Sequence, residues 1–266
     1  MFRPARSYTP SPAQVRALDA LATYKLLNPD QMRRLGVARH TTDVRDALRD
    51  LVRLKWVGQT EAALIGGVKR LPALYWIRSE GVEGAASVGV QAIGSRRRLG
   101  TETEIEHRMA IVEAHMALRA WPAVTVDWFV SDFDPTVSGL RKATAIGTFV
   151  PDAIAQVRPA DGIPRLLVVE VERGGMAQNL TKFRRKLPLL YQVCLDGWVE
   201  DHFGAERGAR FLILFQSQAM QARALSTWEQ TARPVWESFF TKGLDGLGGD
   251  FGRGWTRPDG VVTSLF

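Results

Sequence analysis

The segment IGTFVPDAIAQV, Ile146 to Val157, and the segment LLVVEVE, Leu166 to Glu172, together decide how this chain is read. Each is an apolar run rich in β-formers, and each holds or borders an acid: Asp152 in the first, Glu170 and Glu172 in the second. Two neighbouring strands would bring Asp152 and Glu170 together at one sheet edge. Clustered carboxylates repel one another, and burying them is expensive unless a cation joins them. Oxygen-only ligands favour Mg²⁺ or Mn²⁺. The plainer alternative is a pair of strand-end carboxylates facing solvent.

Working outward, Glu102 to Ala120 has helical periodicity, with Ile105, Met109, Val112 and Met116 on one stripe and His107, Ile111, Ala114 and Leu118 on the next. Trp121-Pro122 stops it. Val124 to Val130 alternates as a strand, and Ser131 to Ala143 reads as a polar loop. The strands bearing Asp152 and Glu170 follow, split by a turn at Asp161-Gly162. Gly174-Gly175 breaks the chain before a helix from about Met176 to Leu190, and Phe211 to Phe215 is a buried strand. The order α-β-β-β-α-β, with Pro-Asp on one strand and Glu-x-polar on the next, resembles the PD-(D/E)xK nuclease core. That motif has a Lys two residues after the Glu, where this chain has Glu172. Gln178, Lys182 and Lys186 are spaced by four on the following helix and share a face. Lys182 is therefore the expected substitute, with Lys182 or Lys186 expected to point toward Asp152 and Glu170, against the alternative of a basic face touching phosphate or solvent with Arg184 and Arg185. Relatives of this fold carry a further acidic ligand on the first helix, which points to Glu106. His107 and Tyr191 read more readily as packing residues than as chemistry.

The N-terminal third has a different rhythm. Ser11-Pro12 and Asn28-Pro29 are helix starts, and Gly36 can end the second helix. Thr41 or Thr42 is expected to cap a third helix, apolar at Val44, Leu48, Leu51 and Val52. Its other face carries Thr42, Arg45, Asp46, Arg49 and Arg53. Leu54 to Gly58 and Leu74 to Ile77 read as strands around a Gly66-Gly67 turn flanked by Lys69 and Arg70. Three helices and a basic hairpin in this order resemble a winged helix-turn-helix. In such a domain Arg45, Arg49 and Arg53 reach base edges or phosphates in the major groove, and Lys69 and Arg70 rest on the backbone. The alternative is a protein-contact domain with a solvated arginine face, and Asp46 and Asp50 lean that way.

Composition sets the limits. Of 266 residues, 45% are hydrophobic, enough to fill a packed core. Lys and Arg number 35 against 28 Asp and Glu, a formal charge of +7 that favours a polyanionic partner. Cys194 is the only cysteine, so intrachain disulfides and cysteine-built zinc sites are excluded, and a cytoplasmic location fits. No apolar run approaches the ~20 residues of a membrane span. There is no Walker-type loop and no Gly-x-Ser-x-Gly elbow, and His40, His107, His115 and His202 form no metal-spaced pair.

Taken together, the expected fold is α/β (α+β). A winged helix-turn-helix spans 10–88, a basic linker with Arg96-Arg97-Arg98 spans 89–101, and a PD-(D/E)xK restriction-endonuclease-like domain spans 102–242. A Gly-rich tail over 243–266 is expected to loop over the surface. The chain resembles the replication-relaxation family of plasmid and mobile-element proteins. The likeness rests on Leu35 to Ile77, Glu106-His107, Pro151-Asp152-Ala153, Glu170 through Gly174, and Lys186 shortly before Tyr191, and it covers roughly residues 14 to 216. The family usually has Asp where this chain has Glu172. The resemblance implies a protein of plasmid replication, relaxation or mobilisation that binds double-stranded DNA, with no membrane partner. It admits a homodimer and a relaxase or replication partner. Two functions follow. One is a Mg²⁺- or Mn²⁺-dependent endonuclease, with Asp152, Glu170 and Glu106 as metal ligands and Glu172 and Lys182 completing the catalytic set. The other is a non-catalytic regulator or relaxosome accessory factor on a degenerate nuclease fold.

Overall fold

The computed structural model describes residues 8–60, 64–65, 69–70, 72–94, 102–131, 140–173, 176–205, 207–228 and 233–266. For residues 64–65, 69–70, 102, 176–179 and 233–234 it describes the backbone alone. The Gly66-Gly67 turn, the arginine run 96–98 and Gly174-Gly175 lie outside the described residues. The chain divides into two units, Met1–Ile105 and Glu106–Phe266. The class is α+β with a mixed sheet, and among the described residues no helix is long and apolar enough to cross a membrane.

In the first unit, α1 (Pro12–Tyr24) starts at Ser11 and α2 (Pro29–Arg34) at Asn28. Each begins with a reciprocal capping box closed by Gln14 or Gln31 and with Pro in the first turn. Gly36, at φ +78°, lets the chain leave α2 in the left-handed region. The third helix, α3 (Thr41–Arg53), begins one residue earlier than the Thr caps expected. His40 is the flanking residue and its side chain makes no capping bond. Val44, Ala47, Leu48 and Leu51 form the buried stripe of α3, packed against α1 and α2. Strands β1 (Val57–Gln59) and β4 (Tyr75–Ile77) pair antiparallel, and Leu27, between α1 and α2, bridges to Tyr75. Between them β2 (Leu64–Ile65) and β3 (Lys69–Arg70) form a short hairpin. A short helix, α4 (Val82–Ala86), follows. At Gly84 an added Cβ would stand 2.3 Å from the Trp56 ring, so only Gly allows this approach.

Helix α5 (Glu102–Ala120) leads into the second unit. Strand β5 (Val124–Ser131) is followed by a small hairpin, β6 (Lys142–Thr144) with β7 (Gly147–Phe149), and then by β8 (Ala153–Pro159) and β9 (Arg165–Glu172). Helices α6 (Met176–Leu195) and α7 (Trp198–Phe203) precede β10 (Arg210–Phe215). Then come α8 (Gln218–Trp228), β11 (Phe239–Gly243), β12 (Trp255–Thr256) and β13 (Val262–Thr263). Seven of these strands make one mixed sheet in the order β13-β12-β11-β10-β9-β8-β5. The pairs β5–β8 and β8–β9 are antiparallel, and β9–β10 and β10–β11 are parallel.

Side-chain alternation sorts the sheet into two faces. On β9, Leu166 and Val168 join Phe183, Leu187 and Leu190 of α6 in one core. Leu167, Val169 and Val171 join Ile111, Ala114 and Leu118 of α5 in the other. Every residue of β9 is buried, because helices or tail cover both faces.

The tail does not loop over the surface. Leu247, Phe251, Trp255 and Leu265 fill the α5 face of the core, and β12 and β13 extend the sheet. The glycines of this stretch read as surface loop, but the aromatic residues among them carry enough apolar area to dock. Gly252 is needed for that docking, since a Cβ there would lie 2.0 Å from Trp121. The Trp255 indole is fully buried and donates to the Phe251 carbonyl at 2.6 Å. Trp255→Ala should lower unfolding free energy by about 3–5 kcal/mol in urea denaturation. Val262→Ala, on a side chain 68% exposed, should stay within about 0.5 kcal/mol of the parent.

Candidate functional site

The site gathers at the C-terminal end of β9. The β8–β9 register pairs Ala153 with Val169, and one further step sets Asp152 level with Glu170. Glu170 and Glu172 differ by two, so both project toward the α6 face of the sheet. Lys186 comes from α6 and binds both: its Nζ donates to Glu170 Oε2 and, at 3.2 Å, to Glu172 Oε1. Asp152 sits just before β8. Its Oδ2 accepts the Val171 amide at 2.7 Å, and its Oδ1 lies 3.0 Å from His107 Nε2 on α5. Four separate elements therefore meet here: α5, the entry to β8, the end of β9, and α6.

The electrostatics are unbalanced. Three carboxylates, Asp152, Glu170 and Glu172, share the one Lys186 ammonium, with His107 beside Asp152, in a mostly dry place. Glu170 is fully buried, and its Oε1 has no hydrogen-bond partner among the described residues. Burial, with the charges of Asp152 and Glu172, pushes its pKa well above the usual carboxylate range despite Lys186. Asp152 goes the other way. Burial acts to raise its pKa, but the His107 bond, the Lys186 charge and the Val171 amide together hold it below the ordinary value. Burial acts to lower the Lys186 pKa, yet the charges of Glu170, Asp152 and Glu172 hold it above normal, so the lysine stays charged. The environments of Asp152 and Glu170 thus push their pKa values apart, a pattern common at functional sites.

The other expected residues fall as follows. Lys182, expected to supply the charge, is exposed. Lys186 is the lysine at the carboxylates. The two sit nearly in line on α6 but one turn apart, ~6 Å along the axis, and height along the helix is what spacing by four leaves open. Glu106 Oε2 lies 3.4 Å from Arg173 Nη2. The structure thus gives this expected metal ligand an arginine neighbour. The Gln178 side chain lies outside the described residues. Tyr191 is buried against Trp228 and Phe239 and serves packing. His107 reads from the sequence as a core residue, yet it holds Asp152. The signal for this role is its place beside Glu106 on the helix leading into the acidic strands. Among the described residues, no group of three or more His, Cys, Asp and Glu stands ready-made for a metal.

In the first unit, Thr42, Arg45, Arg49 and Arg53 are all exposed on α3. Arg49 pairs with Asp46 at 2.5 Å and Arg53 with Asp50 at 3.0 Å. Lys69 and Arg70 form strand β3, and their side chains lie outside the described residues. No family model matches the chain, and neither a curated protein nor a solved structure matches it.

Lys186→Met leaves Glu170 buried without its cation. Removing one partner of a buried ion pair is worth ~3–5 kcal/mol, and the lysine's 28% exposure places this case at the low end. The sign with pH follows from the raised Glu170 pKa. The folded state holds the extra proton, so stability is fully kept below the unfolded value of about 4.3 and lost as pH rises through the folded pKa. The deficit of the variant should therefore be large at neutral pH and shrink on acidification. In Lys186→Met/Glu170→Gln the part of that pH dependence due to Glu170 should be lost, as urea denaturation at several pH values would show.

Proposed function

We propose that this is a DNA-binding protein of the replication-relaxation type, acting in plasmid or mobile-element replication, relaxation or mobilisation. Its second unit would be a Mg²⁺- or Mn²⁺-dependent endonuclease of PD-(D/E)xK kind. One observation carries this reading: Asp152, Glu170 and Lys186 converge from two adjacent antiparallel strands and the helix that follows. The surrounding strand directions, two antiparallel steps and then a parallel one after α6, agree with it.

The residues fit a hard cation. Asp152 and Glu170 offer carboxylate oxygens, and Glu170 Oε1 is buried without a hydrogen-bond partner among the described residues. A divalent ion suits oxygen donors and would also relieve the excess negative charge. It would supply charge neutralisation at a phosphodiester and a more acidic water. The protein's own groups do the rest. His107 and the Val171 amide fix the Asp152 carboxylate, and Glu172 steadies Lys186. The Lys186 ammonium is the positive group that stabilises charge developing on the phosphate.

The second reading, a non-catalytic DNA-binding factor, draws on the same lysine. Lys186 is already bound by two carboxylates, and Glu172 stands where the motif has its Lys. Supercoiled plasmid incubated with Mg²⁺ or Mn²⁺ separates the two. Wild type should nick it and Asp152→Asn should not. Mn²⁺ at a hundred times its dissociation constant should stabilise wild type by ~2.7 kcal/mol and leave Asp152→Asn unmoved. Absence of both effects would leave the accessory-factor reading.

For the first unit we infer a winged helix that reads duplex DNA through α3. The element order with the Leu27 bridge supports this. Arg45→Ala/Arg49→Ala should weaken binding by about 1–3 kcal/mol for each arginine that grips a base bidentately, measured by mobility shift at fixed salt. Unchanged affinity would exclude α3 as the reader.

A further inference from the structure

The β6–β7 hairpin stands apart from the seven-stranded sheet and packs on α6. Its base is anchored: Leu140 and Phe149 are buried in the α6-side core, and Phe149 meets Trp198 edge-on. Its tip is braced: the Thr144 hydroxyl donates to the Gly147 carbonyl at 2.9 Å and accepts the Ile146 amide at 3.3 Å. On this tip Ile146 is 58% exposed. An apolar side chain fixed outward on a braced turn gains nothing for folding.

The hairpin and α6 carry basic residues alone, while α7, which Phe149 meets through Trp198, carries Glu200 and Asp201. The hairpin segment from Leu140 to Val150 carries Arg141 and Lys142 and no acid. Helix α6, over its whole span Met176–Leu195, has four basic residues and no Asp or Glu. Lys186 turns inward to the carboxylates and Arg184 bonds Thr227 at 3.2 Å. Lys182 and Arg185 remain exposed. The same two elements deliver the site, since Asp152 follows Phe149 by three residues and Lys186 lies on α6.

We propose that the β6–β7 hairpin and the basic face of α6 form a docking surface for duplex nucleic acid. Arg141, Lys142, Lys182 and Arg185 hold phosphates, and Ile146 wedges against a base step. Cations at least partly exposed on two elements that themselves carry no acid match a polyanion. An apolar tip beside them matches the side chains that unstack and bend a duplex. Ile146 at the tip, with Val150 37% exposed at the hairpin's end, offers little apolar area among these cations. That fits a base step better than an extended protein interface, which needs a contiguous apolar patch. The inference rests on the nuclease-like reading only for what the surface delivers, a phosphodiester to Asp152 and Glu170.

The test uses the full chain carrying Arg45→Ala/Arg49→Ala, so that α3 is silent, and a short DNA duplex with a fluorescent base analogue. In this parent, duplex binding should persist, with base-analogue fluorescence rising as the step unstacks. Adding Arg141→Ala, Lys142→Ala and Lys182→Ala should lower affinity and flatten the dependence of log K on log salt by about 0.9 for each phosphate no longer neutralised. Adding Ile146→Ala instead should remove the fluorescence rise while melting temperature holds. No duplex binding by the parent, an unchanged salt slope in the triple variant, or a preference for phosphatidylserine vesicles over duplex would each overturn the surface. An unchanged fluorescence rise in Ile146→Ala would overturn the wedge. Wild type that neither responds to Mn²⁺ nor nicks plasmid sinks the nuclease reading alone, because duplex affinity and salt slope do not depend on cleavage.

Discussion

Glu170 sits at a fully buried position of β9, a strand covered on both faces. A carboxylate there is expensive unless something positive answers it. Lys186 is that answer, and it reaches the site only because α6 lies along this face, held by Phe183, Leu187 and Leu190. The apolar packing of α6 and the charge of β9 are thus one constraint. Loosening the helix strands the carboxylate, and neutralising the carboxylate leaves the lysine with Glu172 as its remaining hydrogen-bonded carboxylate.

One ammonium does not balance three carboxylates, and the imbalance is spread unevenly. Asp152, with His107 and a backbone amide on its oxygens, is kept ionised. Glu170, with one oxygen unanswered, is pushed toward the neutral form. Either a proton or a cation can relieve that oxygen. On the proposed reading the cation does so in the working protein, and the proton is its stand-in otherwise. On the accessory-factor reading the proton suffices, and the lysine serves stability alone. The two readings share every contact in the site and differ only in what occupies the free lone pairs of Glu170.

The first unit works on surface charge rather than buried charge. Arg49 and Arg53 on α3 each lean on an aspartate one turn away. Such exposed pairs are worth little, about 0–1 kcal/mol, so a phosphate or base edge can displace the aspartate at small cost. On the proposed DNA-binding reading, Asp46 and Asp50 would orient the arginines as much as oppose a polyanion.

Much of this was legible from the chain because local physics decides it. Ser11-Pro12 and Asn28-Pro29 start helices through their own side chains, and the two-residue period of Leu166 to Glu172 sets Glu170 and Glu172 on one face. The adjacency of Asp152 and Glu170 followed from two successive apolar runs joined by a tight turn. What spacing could not supply was height and partner. Lys182 and Lys186 are equivalent on a helical wheel, and only the packing of α6 against β9 puts Lys186 at the carboxylates. Glu106 and His107 are neighbours in sequence, yet tertiary geometry brings one to Arg173 and the other to Asp152. The glycine-rich end hid its aromatic residues, because docking Trp255 and Phe251 into a distant face is a long-range event with no local signature. Elements such as α1, α2 and β9, and the residues able to do chemistry, were legible because both are properties of short segments. The tertiary structure decided which lysine, which histidine and which oxygen meet, since those depend on how separate segments pack.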